Sequence, residues 1–178
     1  MRKYIVLVIF LVCSVVFASG CVTNKSTNTT KTYAQDNISF TYPGSWEVVN
    51  ATSQNAIVAV ANPNSVQNGT PTTLVVIQKT DIPAGSDINT IYNSNYATFF
   101  NNTNYQRISD GNITVNGQNA PENVYETNTT VNPIQYSAVW LNESGSIYVI
   151  LSAAPASNFN NETMNFNLIL NSFKVQST

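Results

Sequence analysis

The strongest constraint on the fold is a pair of strand-forming segments near the carboxyl end of the chain. The first, IQYSAVWL (134–141), places Ile134, Tyr136, Ala138 and Trp140 on one side of a two-residue period. Turn-forming residues follow at 142–145 (NESG), and a second apolar run, SIYVILSAA (146–154), comes directly after them. Two such runs joined by a short polar turn predict a β-hairpin. We therefore expect an antiparallel sheet built around this hairpin.

Shorter strand signals occur through the rest of the chain. The segments are ISFTYP (38–43), WEVV (46–49), AIVAVAN (56–62), TLVVIQK (73–79), YQRI (105–108) and ITV (113–115). Asp110-Gly111 predicts a break between the last two strands, because both residues favour turns. Asn116-Gly117 is a strong signal for a second hairpin immediately after them.

Two segments have the helical period instead. Ser86-Asp87 can cap a first helix. Apolar side chains then recur at helical spacing, at Ile88, Ile91, Tyr92, Tyr96 and Phe99. A second helix is expected to begin near Ser157 and to bury Phe159, Phe166, Ile169, Leu170 and Phe173. Several antiparallel strands, with one helix in the middle and one at the end, predict an α+β sandwich.

Composition and charge exclude several classes of function. Only 9% of the residues are charged, and without Arg2 and Lys3 five basic residues remain against nine acidic ones, a net charge of −4. Such a chain cannot neutralise a phosphate backbone, so we expect no nucleic-acid partner. The chain has no His, and its two cysteines are Cys13 and Cys21. A Ser-His-Asp triad and a cysteine-based zinc site are therefore excluded, and no cofactor is predicted.

The amino terminus has the pattern of an export signal. Arg2-Lys3 precede an uninterrupted apolar segment at 4–17, and the small residues Ala18-Ser19-Gly20 lead to Cys21. A basic start, an apolar run of this length and small residues before a cleavage point are typical of signal peptides. The cysteine resembles that of a lipobox, although Ala18 stands where Leu or Val is commoner. We predict a lipoprotein-type signal peptide at 1–20 and lipidation of Cys21.

Two alternatives to lipidation remain open at this point. Ordinary secretion would leave Cys21 as an exposed thiol at the mature amino terminus. An uncleaved anchor is the other, because 4–22 is just long enough to cross about 30 Å of hydrocarbon. All three outcomes export the rest of the chain, so we expect it on the extracellular face of the cell membrane. Residues 21–32 then form a Thr/Asn/Ser tether without apolar periodicity, and 33–178 form the domain.

Three segments carry a resemblance to a known family: ISFTYPGSWEVV, GSIYVILSAAPASNF and LILNSFKV. Together they resemble the PsbP-like family, and most of all its lipoproteins from methanogenic archaea. The resemblance covers about 37–175 and implies a central antiparallel β-sheet flanked by helices, an α/β/α sandwich. Plant relatives bind photosystem II and help to retain calcium and chloride. The shared segments are structural, so the resemblance implies an architecture and no chemistry for this chain.

Many asparagines begin an N-x-[ST] sequon, the acceptor motif for N-glycosylation. Four sequons lie in predicted turns, where a glycan would be tolerated, and they are the candidate sites: Asn68, Asn101, Asn128 and Asn142. The others begin at Asn24, Asn28, Asn37, Asn50, Asn112 and Asn161. The alternative is that sequons arise simply because Asn, Ser and Thr are abundant here.

The remaining candidates for chemistry are carboxylates and aromatic rings. Glu122 and Glu126 share one face of a strand, as a two-carboxylate hydrolase requires, and the segment SDGN (109–112) offers oxygens for a weak calcium site. The alternative for the glutamate pair and for this segment is that both are ordinary polar residues of a solvated surface. The many aromatic side chains either fill the core or, where exposed, anchor a partner. No catalytic, cofactor or metal residue is predicted.

The sequence therefore predicts a membrane-tethered extracellular lipoprotein with a non-catalytic domain that binds an envelope protein or serves as an accessory subunit. The alternative is a surface protein that binds a small ligand or an ion in a cleft between sheet and helix. A carboxylate-based hydrolase is the third possibility. An exposed aromatic patch would favour the first, and a pocket with convergent polar groups would favour the second.

Overall fold

The computed structural model describes residues 29–101 and 104–176, which fold around one large antiparallel sheet. Within these ranges the chain forms strands and two α-helices. In chain order they are β1 (Thr30–Gln35), β2 (Ile38–Pro43), β3 (Glu47–Val49), β4 (Ala56–Ala61), β5 (Val66–Gln67), β6 (Thr70–Pro71), β7 (Leu74–Asp81), α1 (Ile88–Phe99), β8 (Tyr105–Val115), β9 (Gln118–Thr127), β10 (Ile134–Glu143), β11 (Ser146–Pro155), α2 (Phe159–Ser172) and β12 (Lys174–Val175).

The predicted hairpin forms the middle of the large sheet. The sheet has seven strands in the order β3-β4-β7-β11-β10-β9-β8, and β10 pairs with β11 from Ile134 opposite Pro155 to Glu143 opposite Ser146. The turn is only Ser144-Gly145, both with positive φ. A two-residue turn of this kind matches the twist of the two strands. The hairpin prediction is confirmed, with a turn shorter than 142–145.

Both faces of this sheet are covered, which confirms the predicted α+β class. Helix α1 packs on one face, where Trp140 and Val149 are buried with Tyr96. Helix α2 and a small sheet, β1-β2-β12, pack on the other face, where Leu141 and Ile150 are buried. Strand β10 lies inside the sheet, between β11 and β9, so its two sets of alternating side chains are both in the core.

Helix α1 begins where its sequence places a cap. The Asp87 carboxylate accepts hydrogen bonds from the backbone N–H groups of Asn89 and Thr90, at 2.9 and 3.1 Å. These contacts satisfy donors that the first turn of a helix leaves free. The segment is rich in Asn, which is a poor helix former, so burial of Tyr92 and Tyr96 against the sheet must stabilise the helix.

Helix α2 is held to the rest of the fold at its middle and at its carboxyl end. Phe166 packs against Trp46 with ring centroids 6.2 Å apart, and the Ser172 hydroxyl accepts a hydrogen bond of 2.8 Å from the Thr41 N–H. At its carboxyl end, the Asn116 side-chain amide donates to the Phe173 carbonyl at 3.1 Å. Helix α2 is therefore fixed to β2 and to the tip of the β8–β9 hairpin. In the described part of the chain, no helix is long and apolar enough to cross a membrane.

Two details of the prediction are wrong. Asp110-Gly111 does not break a strand, because β8 runs without interruption and absorbs the irregularity in a bulge between Arg107 and Ser109. Strand β1 was not expected, since Tyr33 is its one buried side chain. Its residues 30–32 belong to the segment predicted as a tether, so the ordered chain begins earlier than expected. The retained-anchor segment, 4–22, lies outside the described residues.

The start of β1 is fixed by a close approach to Gly44. The Gly44 N–H donates to the Thr29 carbonyl at 2.7 Å, and a Cβ on residue 44 would stand 2.4 Å from that oxygen. We expect Gly44→Ala to lower the free energy of unfolding by about 1–3 kcal/mol, as overpacking does. Urea unfolding measures it. Gly111→Ala is the control, because its Cβ would meet nothing within 4 Å. An equal loss in both variants would contradict this view of Gly44.

Candidate functional site

A cleft of about 410 Å³ lies between α2 and the face of the sheet beneath it. Strands β8, β9, β10 and β11 form its floor, and α2 forms one wall. Its lining residues are Ile113, Thr114, Glu122, Val124, Gln135, Ser137, Val139, Ile150, Ser152, Phe159, Thr163, Phe166, Asn167, Leu170 and Asn171. This volume lies within the usual range for small-molecule sites, 300–1,000 Å³.

The floor of the cleft combines an apolar surface with one ordered carboxylate. Val124, Val139 and Ile150 supply the apolar part. Glu122 lies opposite Val139 in the β9–β10 register, and Ser137 lies opposite Val124, so Glu122 and Ser137 are diagonal neighbours on the same face. The Ser137 hydroxyl donates a 2.7 Å hydrogen bond to Glu122 Oε1. This bond fixes the orientation of the carboxylate.

Four other polar side chains of the cleft have no hydrogen-bond partner within the described ranges. They are Gln135 and Ser152 on the floor and Asn167 and Asn171 on α2. Ser152 is only 6% exposed, so its hydroxyl depends on the cleft for a partner. The two asparagines are four residues apart and therefore project from the same side of the helix. Amides and hydroxyls both donate and accept, so these groups have the capacity to bind a polar ligand.

The cleft carries one sign of charge. Glu122 is the single charged residue in its lining. Glu126 lies on the same face of β9, as predicted, but it does not line the cleft and is hydrogen-bonded by the Gln106 amide. None of the basic residues in the described part of the chain lines the cleft either. Anionic ligands are therefore disfavoured here.

The structure does not support a calcium site at SDGN. Residues 109–112 belong to β8 and do not form a loop, and the Asp110 carboxylate forms an ion pair of 2.9 Å with Arg107. Among the described residues, no group of three or more Asp, Glu, His or Cys side chains is arranged to hold a metal ion. The loop on which the calcium hypothesis depended is not formed, because the segment continues strand β8 and pairs with β9.

The aromatic side chains are mostly in the core. Tyr96, Tyr125 and Trp140 are at most 2% exposed and pack together between α1 and the sheet. Burial raises the pKa of the Tyr96 and Tyr125 hydroxyls above the ordinary value. The large apolar side chains exposed in the described part are aliphatic and scattered: Val48, Val66, Ile108, Val131 and Met164. An exposed aromatic patch, which would have favoured a protein-binding face, is not found there.

The candidate modification sites are described only in part. Asn68 is exposed in a turn with φ of 52°, and Asn101 and Asn128 are exposed beyond the ends of α1 and β9. Asn142 is exposed too, but it lies in β10 and not in a turn. Cys21 is outside the described residues. Glycosylation and lipidation therefore remain predictions.

The sequence matches one family model, described as "PsbP-like protein", over residues 5–175. No curated protein matches the chain significantly in sequence. The matched range contains every strand and helix described above.

Several solved structures share the fold. Cyanobacterial PsbP (CyanoP) from Synechocystis is 14% identical, with a TM-score of 0.64 over 88% of this chain and 98% of its own. LpqN of Mycobacterium tuberculosis, described as involved in cell envelope biogenesis, is 12% identical, with a TM-score of 0.60 over 84% and 91%. The Saccharomyces cerevisiae Ran-binding protein Mog1p is 10% identical, with a TM-score of 0.54 over 84% and 96%. At these identities the likeness shows a common fold.

Proposed function

This chain belongs to the PsbP-like protein family, and from that premise we propose that it is a lipid-anchored, non-catalytic binding module on the outer face of the cell. It binds another component of the envelope, a protein to which it is accessory. The observation that carries the binding part is the cleft beneath α2, in which ordered polar side chains are left without partners. A two-carboxylate mechanism would require a second carboxylate beside Glu122. Glu126 does not serve, because it lies outside the cleft and accepts a hydrogen bond from the Gln106 amide.

The anchor is proposed from the amino-terminal pattern. Cleavage after Gly20 would leave Cys21 as the first mature residue, where a thioether-linked lipid would attach. Two or more chains are needed, because a single acyl chain holds a protein only marginally. Eight residues separate Cys21 from Thr30, the first residue of β1. Even fully extended they span only about 28 Å, so the domain would remain close to the bilayer.

Two proteins of similar fold support a binding role. Mog1p is described as Ran-binding, and LpqN as involved in cell envelope biogenesis. Both descriptions belong to those proteins, and the second is the setting that we propose for this chain. We also propose, from the three resembling segments, that the chain belongs among the PsbP-related lipoproteins of methanogenic archaea. Glycans on exposed sequons such as Asn68 and Asn128 would add to a polar surface that is poor in charge.

A second candidate function is the binding of a small polar molecule in the same cleft. The cleft volume of about 410 Å³ and its mixture of apolar floor and free amides favour this function. Thermal unfolding in the presence of sugars and cell-wall fragments tests it. A raised unfolding temperature that is lost in a cleft variant would favour the small ligand over a protein partner.

The anchor is tested by Cys21→Ser in the native cell. We expect the wild-type protein in the membrane fraction, with an intact mass equal to the chain from Cys21 plus lipid. The variant should lose the lipid mass and leave the lipid-anchored pool, because serine cannot form the thioether. Cys13→Ser is the matched control, since it makes the same change inside the leader and should alter neither property. Extra mass in saccharide increments would reveal glycans in the same spectrum.

The same mass measurement can contradict the lipid anchor. If the wild-type protein retains residues 1–20, or if its mass shows no lipid, the proposal of a lipid-tethered module is wrong. Crosslinking in native envelopes tests the binding part separately. A specific crosslinked protein supports it, and a domain that crosslinks to nothing speaks against it.

A further inference from the structure

We propose that the cleft beneath α2 binds a basic side chain, lysine or arginine, presented by the protein partner. The proposal rests on the proposed function, because it assumes that the module binds another protein. It adds the site at which the partner is bound and the type of side chain that is recognised there. The cleft, its ordered carboxylate and its free amides carry it. A basic side chain needs a negative group, further acceptors and a surface for its methylene stem, and the cleft offers all three.

Charge is the first argument. Glu122 is the single charged residue in the lining, and Glu126 follows on the same face of β9. The described residues contain four basic side chains, Lys31, Lys79, Arg107 and Lys174, and none of them lines the cleft. Arg107, also on the β8–β9 hairpin, is paired with Asp110. Among residues 29–101 and 104–176 Glu122 therefore has no cationic partner, and a ligand cation is the complementary group.

The geometry of the carboxylate is the second argument. Ser137 holds Glu122 Oε1 at 2.7 Å, which orients the carboxylate, and no hydrogen bond within the described ranges engages Oε2. An ammonium has three donors and no acceptor, so it needs further oxygens besides a carboxylate. Gln135, Asn167 and Asn171 line the same cleft, and no hydrogen bond within the described ranges engages their side-chain amides, each of which has an acceptor oxygen. The Ser152 hydroxyl, on a residue 6% exposed, adds another.

The apolar floor is the third argument. Lysine and arginine carry long hydrocarbon stems that pack on apolar surface while the charged end is solvated or paired. Val124, Val139 and Ile150 form such a surface beside Glu122. A small inorganic cation would gain nothing from these side chains, and an anion would be repelled by the carboxylate. A basic side chain uses both parts of the cleft.

The test measures binding of short peptides by the full-length protein in detergent micelles. The first peptide, acetyl-Gly-Ala-Lys-Ala-Gly-amide, carries one lysine, and its control replaces lysine with norleucine, which keeps the stem and removes the charge. We expect the lysine peptide to shift the side-chain amide NMR signals of Gln135, Asn167 and Asn171, with a dissociation constant of about 1 mM. The norleucine peptide should bind at least about tenfold more weakly, because it forms no charge-assisted hydrogen bond.

Two glutamate variants separate the cleft from general electrostatics. Glu122→Gln has the same shape and can still accept from Ser137, so the fold should be retained, and urea unfolding verifies this. We expect it to weaken lysine-peptide binding at least about tenfold. Glu143→Gln is the matched control, because Glu143 is hydrogen-bonded to Gln118 at 2.8 Å outside the cleft. It changes the net charge equally and should leave binding unaltered.

Each result decides the proposal. Equal binding of the lysine and norleucine peptides overturns it, as does binding that Glu122→Gln leaves unchanged or an absence of any shift in the three amide signals. The proposed function fails independently, through the crosslinking experiment. If a partner is crosslinked and its yield is the same in Glu122→Gln, the module binds proteins elsewhere and only the cleft proposal falls. If the yield drops with Glu122→Gln and not with Glu143→Gln, both stand.

Discussion

Replacing Trp140 with alanine is expected to lower the free energy of unfolding by about 3–5 kcal/mol, the usual cost of removing a large aromatic from a core. Trp140 is fully buried on the α1 face of strand β10, which lies inside the sheet beside β11. Its ring makes edge contacts with Tyr92 and Tyr96, at centroid distances of 5.7 and 5.9 Å. The truncation would leave a cavity where the helix meets the sheet.

A polar contact adds to the cost. Trp140 Nε1 donates to the Tyr96 hydroxyl at 3.2 Å, and Tyr96 is 2% exposed. In Trp140→Ala the buried Tyr96 hydroxyl would lose this hydrogen-bond donor, which lowers the stability further. Helix α1 has poor intrinsic propensity, so it depends on this packing more than an alanine-rich helix would. We therefore expect α1 to loosen first, with faster amide hydrogen exchange in α1 than in α2.

Two further variants make the Trp140 prediction quantitative. Trp140→Phe keeps an aromatic ring, so its free energy of unfolding should fall less than that of Trp140→Ala. Part of the remaining decrease would come from the missing hydrogen bond to Tyr96. Met164→Ala changes a side chain that is 84% exposed on α2, so its effect should lie within about 0.5 kcal/mol. Urea unfolding measures all three. A Trp140→Ala variant as stable as Met164→Ala would show that α1 does not pack on the sheet as described.

Alkaline pH is expected to unfold the protein. Burial raises the pKa of the Tyr96 and Tyr125 hydroxyls, and neighbouring tyrosines raise that of Tyr125 further. Tyrosines in the unfolded chain ionise near pH 10. Above that pH the unfolded chain has released protons that the folded chain still binds, so stability falls as pH rises. Below about pH 10 the contribution is fully present.

The expected loss is large because several tyrosines act together. Each one costs up to about 1.4 kcal/mol per pH unit between its unfolded and folded pKa values. For Tyr96 and Tyr125 together the slope approaches about 3 kcal/mol per pH unit, against a total stability of about 5–15 kcal/mol for a typical domain. Circular dichroism and phenolate absorbance should therefore change together, in one cooperative step.

Tyr125→Phe tests the cause. Phenylalanine keeps the stacking of ring 125 on Tyr136, at a centroid distance of 5.0 Å, but cannot ionise. We expect unfolding in this variant to require a higher pH than in the wild type, with a shallower loss of stability above about pH 10. An unaltered alkaline midpoint would show that Tyr125 ionisation does not drive the transition. A gradual phenolate titration without unfolding would mean that these rings are accessible to solvent.

The local features of the fold could be predicted from sequence because they depend on near neighbours. The alternation in 134–141 with the apolar run 146–154 gave the β10–β11 hairpin, and Asp87 gave the start of α1. The Asp110-Gly111 prediction failed because pairing with β9 along nearly the whole of β8 outweighs the turn preference of two residues. Strand β1 was missed because it buries Tyr33 alone and owes its position to β2 and Gly44.

By itself, the sequence determined the antiparallel sheet and the family, since each depends on contiguous patterns. The export signal at the amino terminus stays a prediction. The tertiary structure alone decided that Glu122, Ser137, Ser152 and Asn167 meet in one cleft. They come from β9, β10, β11 and α2, and their approach depends on strand register and on where α2 crosses the sheet. Neither property is encoded locally, because register and helix position follow from the burial of both faces at once.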